Sequence, residues 1–465
     1  MLGATPGTSE TLTDPTTRWC PHRRADNIPR MLTWLGVASV LALLALILCR
    51  ITSVPVALIL VPFAAGLAGG FGTEVGRFAM LGILEVAPTA ALLAFAVVYF
   101  GVMRDAGLFE PVIRGVLRAV GNDPVRILVG TAVIAGVSHL DGAGASTFMV
   151  TVPAMLPIYR RLRLDPVALT AATALAAGTM NMLPWGGPTT RAAAVLQVSP
   201  GELFRPLLAA QLVGLAAVLG IAAALGLRER RRLDRGAESD PGGDAVSAAP
   251  EPQPEQAGWP RLWLFNAALT LVALGSLVAE VLPLPVVFVV ASAVALLANH
   301  PDARQQRERL TAHATAAMLM VTTILAAGVF AGVLKESGML AAMARDLVAA
   351  LPGPVLAHLP VAMGLASMPL SLAFDPDSFY FGVLPVVAAA AQASGGAALE
   401  VGRAALLGQM TTGFPVSPLT PATFLLVGLA DVDLVEHQRR TIPLAFGVSA
   451  TMTLAALLTG ALHWG

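Results

Sequence analysis

VSHLDGAGASTFMVTVP, residues 137–153, decides how this chain folds. It lies inside an apolar region, about 124–160, that is otherwise hydrophobic enough for a membrane. Its centre holds His139, Asp141, Ser146 and Thr147 among Gly142 and Gly144. One continuous apolar helix does not run through such a stretch. Irregular backbone at membrane depth is tolerated only where it is buried in protein or lines a cavity. The reading is therefore a re-entrant helical hairpin with its tip at the bilayer centre. Glycines at the tip let backbone groups approach a ligand closely.

The composition agrees. Of 465 residues, 56% are hydrophobic and only 12% are charged, against roughly 25% charged in a soluble domain. Mean hydropathy is +0.74. So few charges cannot build a water-soluble surface, which excludes a soluble enzyme, a nucleic-acid binder and a disordered scaffold. Net charge is +0, so no bulk field draws in polyanions. Two cysteines, Cys20 and Cys49, are too few for a disulfide framework or a soft-metal site. Lys335 is the only lysine beside 28 arginines, a bias that fits a GC-rich bacterial genome.

Outward from the hairpin, apolar runs recur at about 31–49, 53–72, 80–103, 166–197, 203–226, 262–282, 284–299, 313–334, 401–430 and 441–461. Runs 166–197 and 401–430 are over-long and broken by glycine and proline. A second interrupted region spans about 353–394. Residues 1–30 are polar, Pro/Thr-rich and without apolar period, and read as a disordered tail. Residues 227–260 are charged and then Pro/Ala/Glu-rich, and read as a linker.

The linker divides a repeat. Pro55 and Pro285, Gly178 and Gly408, and Pro188 and Pro418 are each 230 residues apart; GVMRDAGL at 101–108 and GVLKESGM at 332–339 are 231 apart. The expected fold is an all-α polytopic membrane protein of two repeats, 31–226 and 261–465, each with a hairpin and a broken helix. About ten full crossings accompany the two hairpins. An odd number of crossings per half inverts the second repeat, the plan of many secondary transporters. With the N-terminus outside, 19 basic residues fall on the cytoplasmic side, the Arg228–Arg235 cluster among them. Five fall outside: Arg77, Arg205, Lys335, Arg345 and Arg403. The bias is positive-inside, with a cytoplasmic linker and an external C-terminus. Arg18, Arg23, Arg24 and Arg30 oppose it, and a start at Met31 would remove that conflict.

The breaks supply the chemistry. GTMNMLPWGGPTTRAA, residues 178–193, carries Asn181, Gly186, Gly187, Pro188, Thr189 and Arg191. GFPVSPLTPATFLLVG, residues 413–428, carries Ser417, Thr420 and Thr423, and LAFDPDSFYFGVLP, residues 372–385, carries Asp377 and Ser378. Proline removes a donor and frees a carbonyl for a cation. A half-helix starting after a break points its positive end at the gap, which suits a carboxylate. Asp141, Ser146 and Asp377 form a hard-oxygen set for Mg²⁺, Ca²⁺, Na⁺ or H⁺. Arg191 suits an organic carboxylate, or else neutralises Asp141. Asp141 and Asp377 are proton-coupling candidates. His139 is read as a hydrogen-bonding hairpin residue, with a proton-relay role open.

The runs DGAGASTFMVTVPAMLPIYRRL, MNMLPWGGPTTRAA, DSFYFGVLP and SPLTPATFLLVGLADVDLVEHQR resemble the citrate–divalent metal:proton symporters, the CitMHS family of the ion transporter superfamily. The resemblance implies citrate carried as a Mg²⁺- or Ca²⁺-type complex, protons as the coupling ion, and a dimer in which a transport domain moves against a scaffold. It carries Asp141, Asn181, Gly187, Thr189, Asp377, Ser417 and Thr420 to the site. FDPDSF departs from the family pattern, because Pro376 stands where a small residue is expected. The rivals are a Na⁺-coupled di- or tricarboxylate carrier on the same fold and, from another class, an intramembrane hydrolase using His139 and Asp141. The absence of an HExxH motif and the matched polar breaks argue against the hydrolase.

Overall fold

Aspartate before proline starts two of the helices. Asp123 and Asp165 accept hydrogen bonds from the backbone N–H groups of Val125 (3.0 Å) and Val167 (2.9 Å), while Pro124 and Pro166 occupy the first helical position. A proline there loses nothing, because that N–H has no intrahelical partner. Asp433 caps the last long helix in the same way, through Val435 and Glu436.

The computed structural model describes residues 27–239, 260–279 and 281–464, and every regular element among them is helical. The expected tail falls mostly outside the described residues, but the first helix, Asn27–Leu48, already begins within its last four positions. The expected linker is shortened too. The Leu208–Ser239 helix runs through 227–239, and the remainder to 259 lies outside the described residues. Arg, Leu and Glu are good helix formers, so the charged stretch extends the helix.

The elements follow one another in this order. Helices Val54–Ala68, Glu74–Asp105 and Glu110–Val120 lead to the first hairpin, Pro124–Ser138 and Gly144–Arg161. A broken pair follows, Pro166–Met180 and Gly187–Leu196, and then Leu208–Ser239. The second half runs Leu284–Asn299, Ala303–Glu336 and Met339–Ala350 to a second hairpin, Leu359–Leu370 and Leu384–Ala393. Its broken pair is Ala398–Leu406 and Pro421–Ala430, and Leu434–Leu458 closes the chain. Six helices among the described residues are long and apolar enough to cross a membrane, which makes this a multi-pass membrane protein. The other apolar helices have 10–17 residues. At 1.5 Å per residue the 15 of Val54–Ala68 reach only about 22 Å.

Two features position the site. The Pro166–Met180 helix is buried at every residue from Val167 to Thr179, as expected of a helix apolar on all faces. The long Glu74–Asp105 and Ala303–Glu336 helices cross at glycine: a Cβ at Gly82 would collide with the Gly328 carbonyl, and one at Gly332 with Phe78 and Gly82 backbone. Small residues at such a crossing let two backbones touch.

Candidate functional site

The first hairpin turns at Gly142, whose φ of 72° is a left-handed value that only glycine takes without strain. Asp141 organises this tip. Its carboxylate accepts from the Ala143 N–H at 2.8 Å and from the Ser146 hydroxyl, and it pairs with Arg104 at 3.4 Å. Arg104 lies in the last turn of Glu74–Asp105. His139 is fully buried: Nδ1 lies 2.8 Å from Thr147 Oγ1 and Nε2 3.2 Å from Asn181 Oδ1. Asn181 Nδ2 donates to the Met410 carbonyl at 2.7 Å, so its Oδ1 must accept and His139 Nε2 carries the hydrogen. Both ring nitrogens are thus used, and Asp141 is directed elsewhere. The His139–Asp141 pairing that a hydrolase would need does not form.

The first break docks beside this tip. Trp185 donates from Nε1 to the Leu140 carbonyl at 2.8 Å and stacks on Phe100 at 5.3 Å between centroids. Thr189 donates to the Met182 carbonyl at 2.8 Å. Arg191, one turn into the Gly187–Leu196 helix, donates from Nε to Asp377 Oδ1 at 2.7 Å and from Nη1 to the Gly187 carbonyl at 3.1 Å. The sequence reading offered Asp141 as the protein carboxylate that Arg191 would neutralise; the structure pairs Arg191 with Asp377 instead and gives Asp141 to Arg104. Asp377 precedes a π-helical turn, Ser378–Val383, an irregularity frequent at functional sites.

The second break is longer. Residues 404–417 are buried one after another, yet 407–416 are not helical. Their carbonyls are taken by side chains. Tyr380 donates to Gln409 O at 2.8 Å, Asn181 to Met410 O, and Thr420 and Thr423 to Phe414 O at 2.6 and 2.9 Å. Ser417 in turn donates to Ser371 O at 2.6 Å. The sequence suggested that carbonyls freed by proline would face a cation, but here they face protein donors. Buried backbone must be satisfied, and nearby hydroxyls and amides do it. The hydroxyls of Ser378, Thr411 and Thr412 are buried without a protein partner.

Tips and breaks converge on a cavity of about 570 Å³. Gly142, Gly144 and Ala145 of the first tip, Asn181, Gly187, Pro188 and Arg191 of the first break, and Pro376 of the second hairpin line it. Met410, Phe414, Thr420, Pro421 and Ala422 of the second break complete it with Met320 and Leu425. The Gly187–Leu196 and Pro421–Ala430 helices both begin at its wall, so two positive helix ends face one space. The chain matches the citrate transporter family, CitMHS, over residues 35–408.

The chain belongs to the citrate transporter family. It is 42% identical over 432 residues to the "Citrate transporter" of Bacillus subtilis (strain 168), covering 92% of this chain and 99% of that protein. It is 39% identical over 434 residues to the "Mg(2+)/citrate complex secondary transporter" of the same organism, covering 93% and 99%. In fold it is similar to the Alcanivorax borkumensis YdaH transporter, with a TM-score of 0.55 at 15% identity over 86% of this chain and 89% of that one. The family resemblance read from the motifs is thereby confirmed.

Within this family member, Asn181, Gly187, Pro188, Arg191 and Thr420 line the cavity, and Gly186 caps the helix that opens onto it. Thr189, Ser378, Ser417 and Thr423 are buried and do not line the cavity. Asp141 and Asp377 are each held by a different arginine, and Ser146 serves Asp141. Among the described residues no group of three or more His, Cys, Asp or Glu stands ready for a metal. The sequence reading missed Met410, Phe414 and Gln409. The only signal for them was their place in a broken apolar run.

Proposed function

We propose that this chain is a secondary active transporter that takes up citrate as a divalent-metal complex, of Mg²⁺ or Ca²⁺ type, in symport with protons. The single observation that carries this reading is the convergence of both tips and both breaks on one cavity bearing Arg191 and two helix N-termini. An anionic substrate suits the guanidinium and the helix ends. A hard cation brought in on citrate would meet oxygen donors from Asp377, Thr420 and the wall. The names of the two relatives support both citrate and its metal complex. Cotransport of opposite charges also needs less net desolvation than either ion alone. Alternating access of elevator type, with tips and breaks moving against the long helices, accounts for the two tips and two breaks. The two repeats would have opposite polarity in a bacterial cytoplasmic membrane, and the assembly would be a homodimer.

The test is uptake of labelled citrate into proteoliposomes, with and without each divalent cation and a pH gradient. Uptake that requires the metal and rises with an acid exterior is expected. Metal-independent uptake overturns the complexed substrate, and loss of uptake when choline replaces Na⁺ overturns proton coupling.

A further inference from the structure

We propose that His437 is a positioning residue for the second break: it holds the Pro415 carbonyl and so sets where Phe414 and Thr420 stand in the cavity wall. The proposal rests on the transport reading above. His437 lies in the first turn of Leu434–Leu458, and its side chain is fully buried. Its Nε2 is 3.0 Å from Pro415 O and its Nδ1 is 3.0 Å from Thr170 Oγ1. A carbonyl can only accept, so Nε2 carries the hydrogen and Nδ1 of the neutral ring accepts from a hydroxyl, with Thr170 Oγ1 at 3.0 Å and Thr441 Oγ1 at 3.3 Å in reach. Thr170 belongs to the Pro166–Met180 helix, which leads into the first break. One imidazole therefore ties the approach to one break to the backbone of the other.

The neighbouring side chain extends this hold. Gln438 Nε2 donates to Val416 O at 2.8 Å, so two consecutive residues take two consecutive carbonyls. The first half has a counterpart: Gln211, in the first turn of Leu208–Ser239, donates to Thr179 O at 3.1 Å, two residues before Asn181. In each half the last long helix grips the break that precedes it. Without the grip, Pro415 would have a buried acceptor unsatisfied, and the segment would relax to find another donor. His437 is not among the cavity-lining residues, so its effect on substrate passes through Phe414 and Thr420.

The test uses purified His437→Ala, His437→Gln and Gln438→Ala in proteoliposomes with citrate and Mg²⁺, reading KM, Vmax and the pH profile. A second readout is maleimide labelling of Ala422→Cys in a background with Cys20→Ser and Cys49→Ser. Displaced positioning groups cost binding steeply, so His437→Ala and Gln438→Ala are expected to raise KM about tenfold and to alter the labelling rate. Glutamine's Nε2 can reach the same carbonyl. His437→Gln should therefore restore KM to within about twofold with an unchanged pH profile. Unchanged KM and labelling in His437→Ala overturns the proposal. So does a lost pH dependence in His437→Gln, which would make the imidazole a proton carrier. If His437→Ala does not fold, Gln438→Ala and His437→Gln decide. If the wild type takes up no citrate with Mg²⁺, the transport reading falls, and labelling alone judges the grip.

Discussion

Arg191 and Asp377 are 186 residues apart in sequence and 2.7 Å apart in space. The pair joins the helix after the first break to the residue before the π-turn of the second hairpin. Both side chains are only partly buried, at 21% and 18% exposure, and Arg191 lines the cavity. Asp377→Asn keeps the shape and removes the charge, leaving Arg191 without its carboxylate. Truncating one member of such a pair costs about 2 kcal/mol or more, so uptake should fall about 30-fold or further. Arg191→Gln should match it. Uptake assays and size-exclusion profiles check both. Wild-type transport by a well-folded Asp377→Asn protein would remove this residue from the site.

Asp141 does two jobs of unequal weight. It binds the hairpin's own backbone and Ser146 from a side chain only 6% exposed, whereas its partner Arg104 is 40% exposed. An exposed ion pair contributes at most about 1 kcal/mol. Arg104→Ala should therefore leave thermal stability almost unchanged, while Asp141→Ala should lower it clearly through the lost tip contacts. If the tip leaves the Glu74–Asp105 helix during transport, Arg104→Ala should also change Vmax more than KM. Initial-rate kinetics and melting in detergent separate these effects.

The crossing at Gly82, Gly328 and Gly332 leaves no room for a side chain. Gly82→Val would push the two long helices apart, a cost of about 1–3 kcal/mol by the usual measure of overpacking. Detergent melting should show a drop of several degrees. Gly220, which has open space around its Cα, should accept alanine without loss and serves as the control.

Acid should loosen the contact between Asp123 and Arg230. The Arg230 guanidinium holds the Asp123 carboxyl below its ordinary range, helped by the Val125 N–H and Arg126. A depressed carboxyl contributes stability above its unfolded pKa and loses it as pH falls through the folded value. The contribution belongs to neutral pH and disappears in strong acid. The pair is surface-exposed, so its size is at most about 1 kcal/mol. Asp123→Asn should lower the melting temperature slightly at pH 7 and not at all in strong acid, which a pH series of melting curves would show.

Some of this could be read along the chain. Apolar run lengths, the near-constant 230-residue offset and the Gly/Pro/polar interruptions specify helices, a repeat and four special segments. They do so because hydrophobicity and backbone satisfaction are local requirements that lipid enforces at each residue. Asn181, Gly187, Pro188, Arg191 and Thr420 stand out in these segments of the sequence, and the fold places them along one cavity. The partners were not legible. Nothing near Arg191 indicates that it meets Asp377 rather than Asp141, or that Asp141 meets Arg104. Nor does the VEHQR motif show that its histidine reaches Pro415. Composition and periodicity decided the solvent and the elements. Only the tertiary packing decided which charge neutralises which, and which donor takes each buried carbonyl, because those pairings depend on segments hundreds of residues apart meeting in three dimensions.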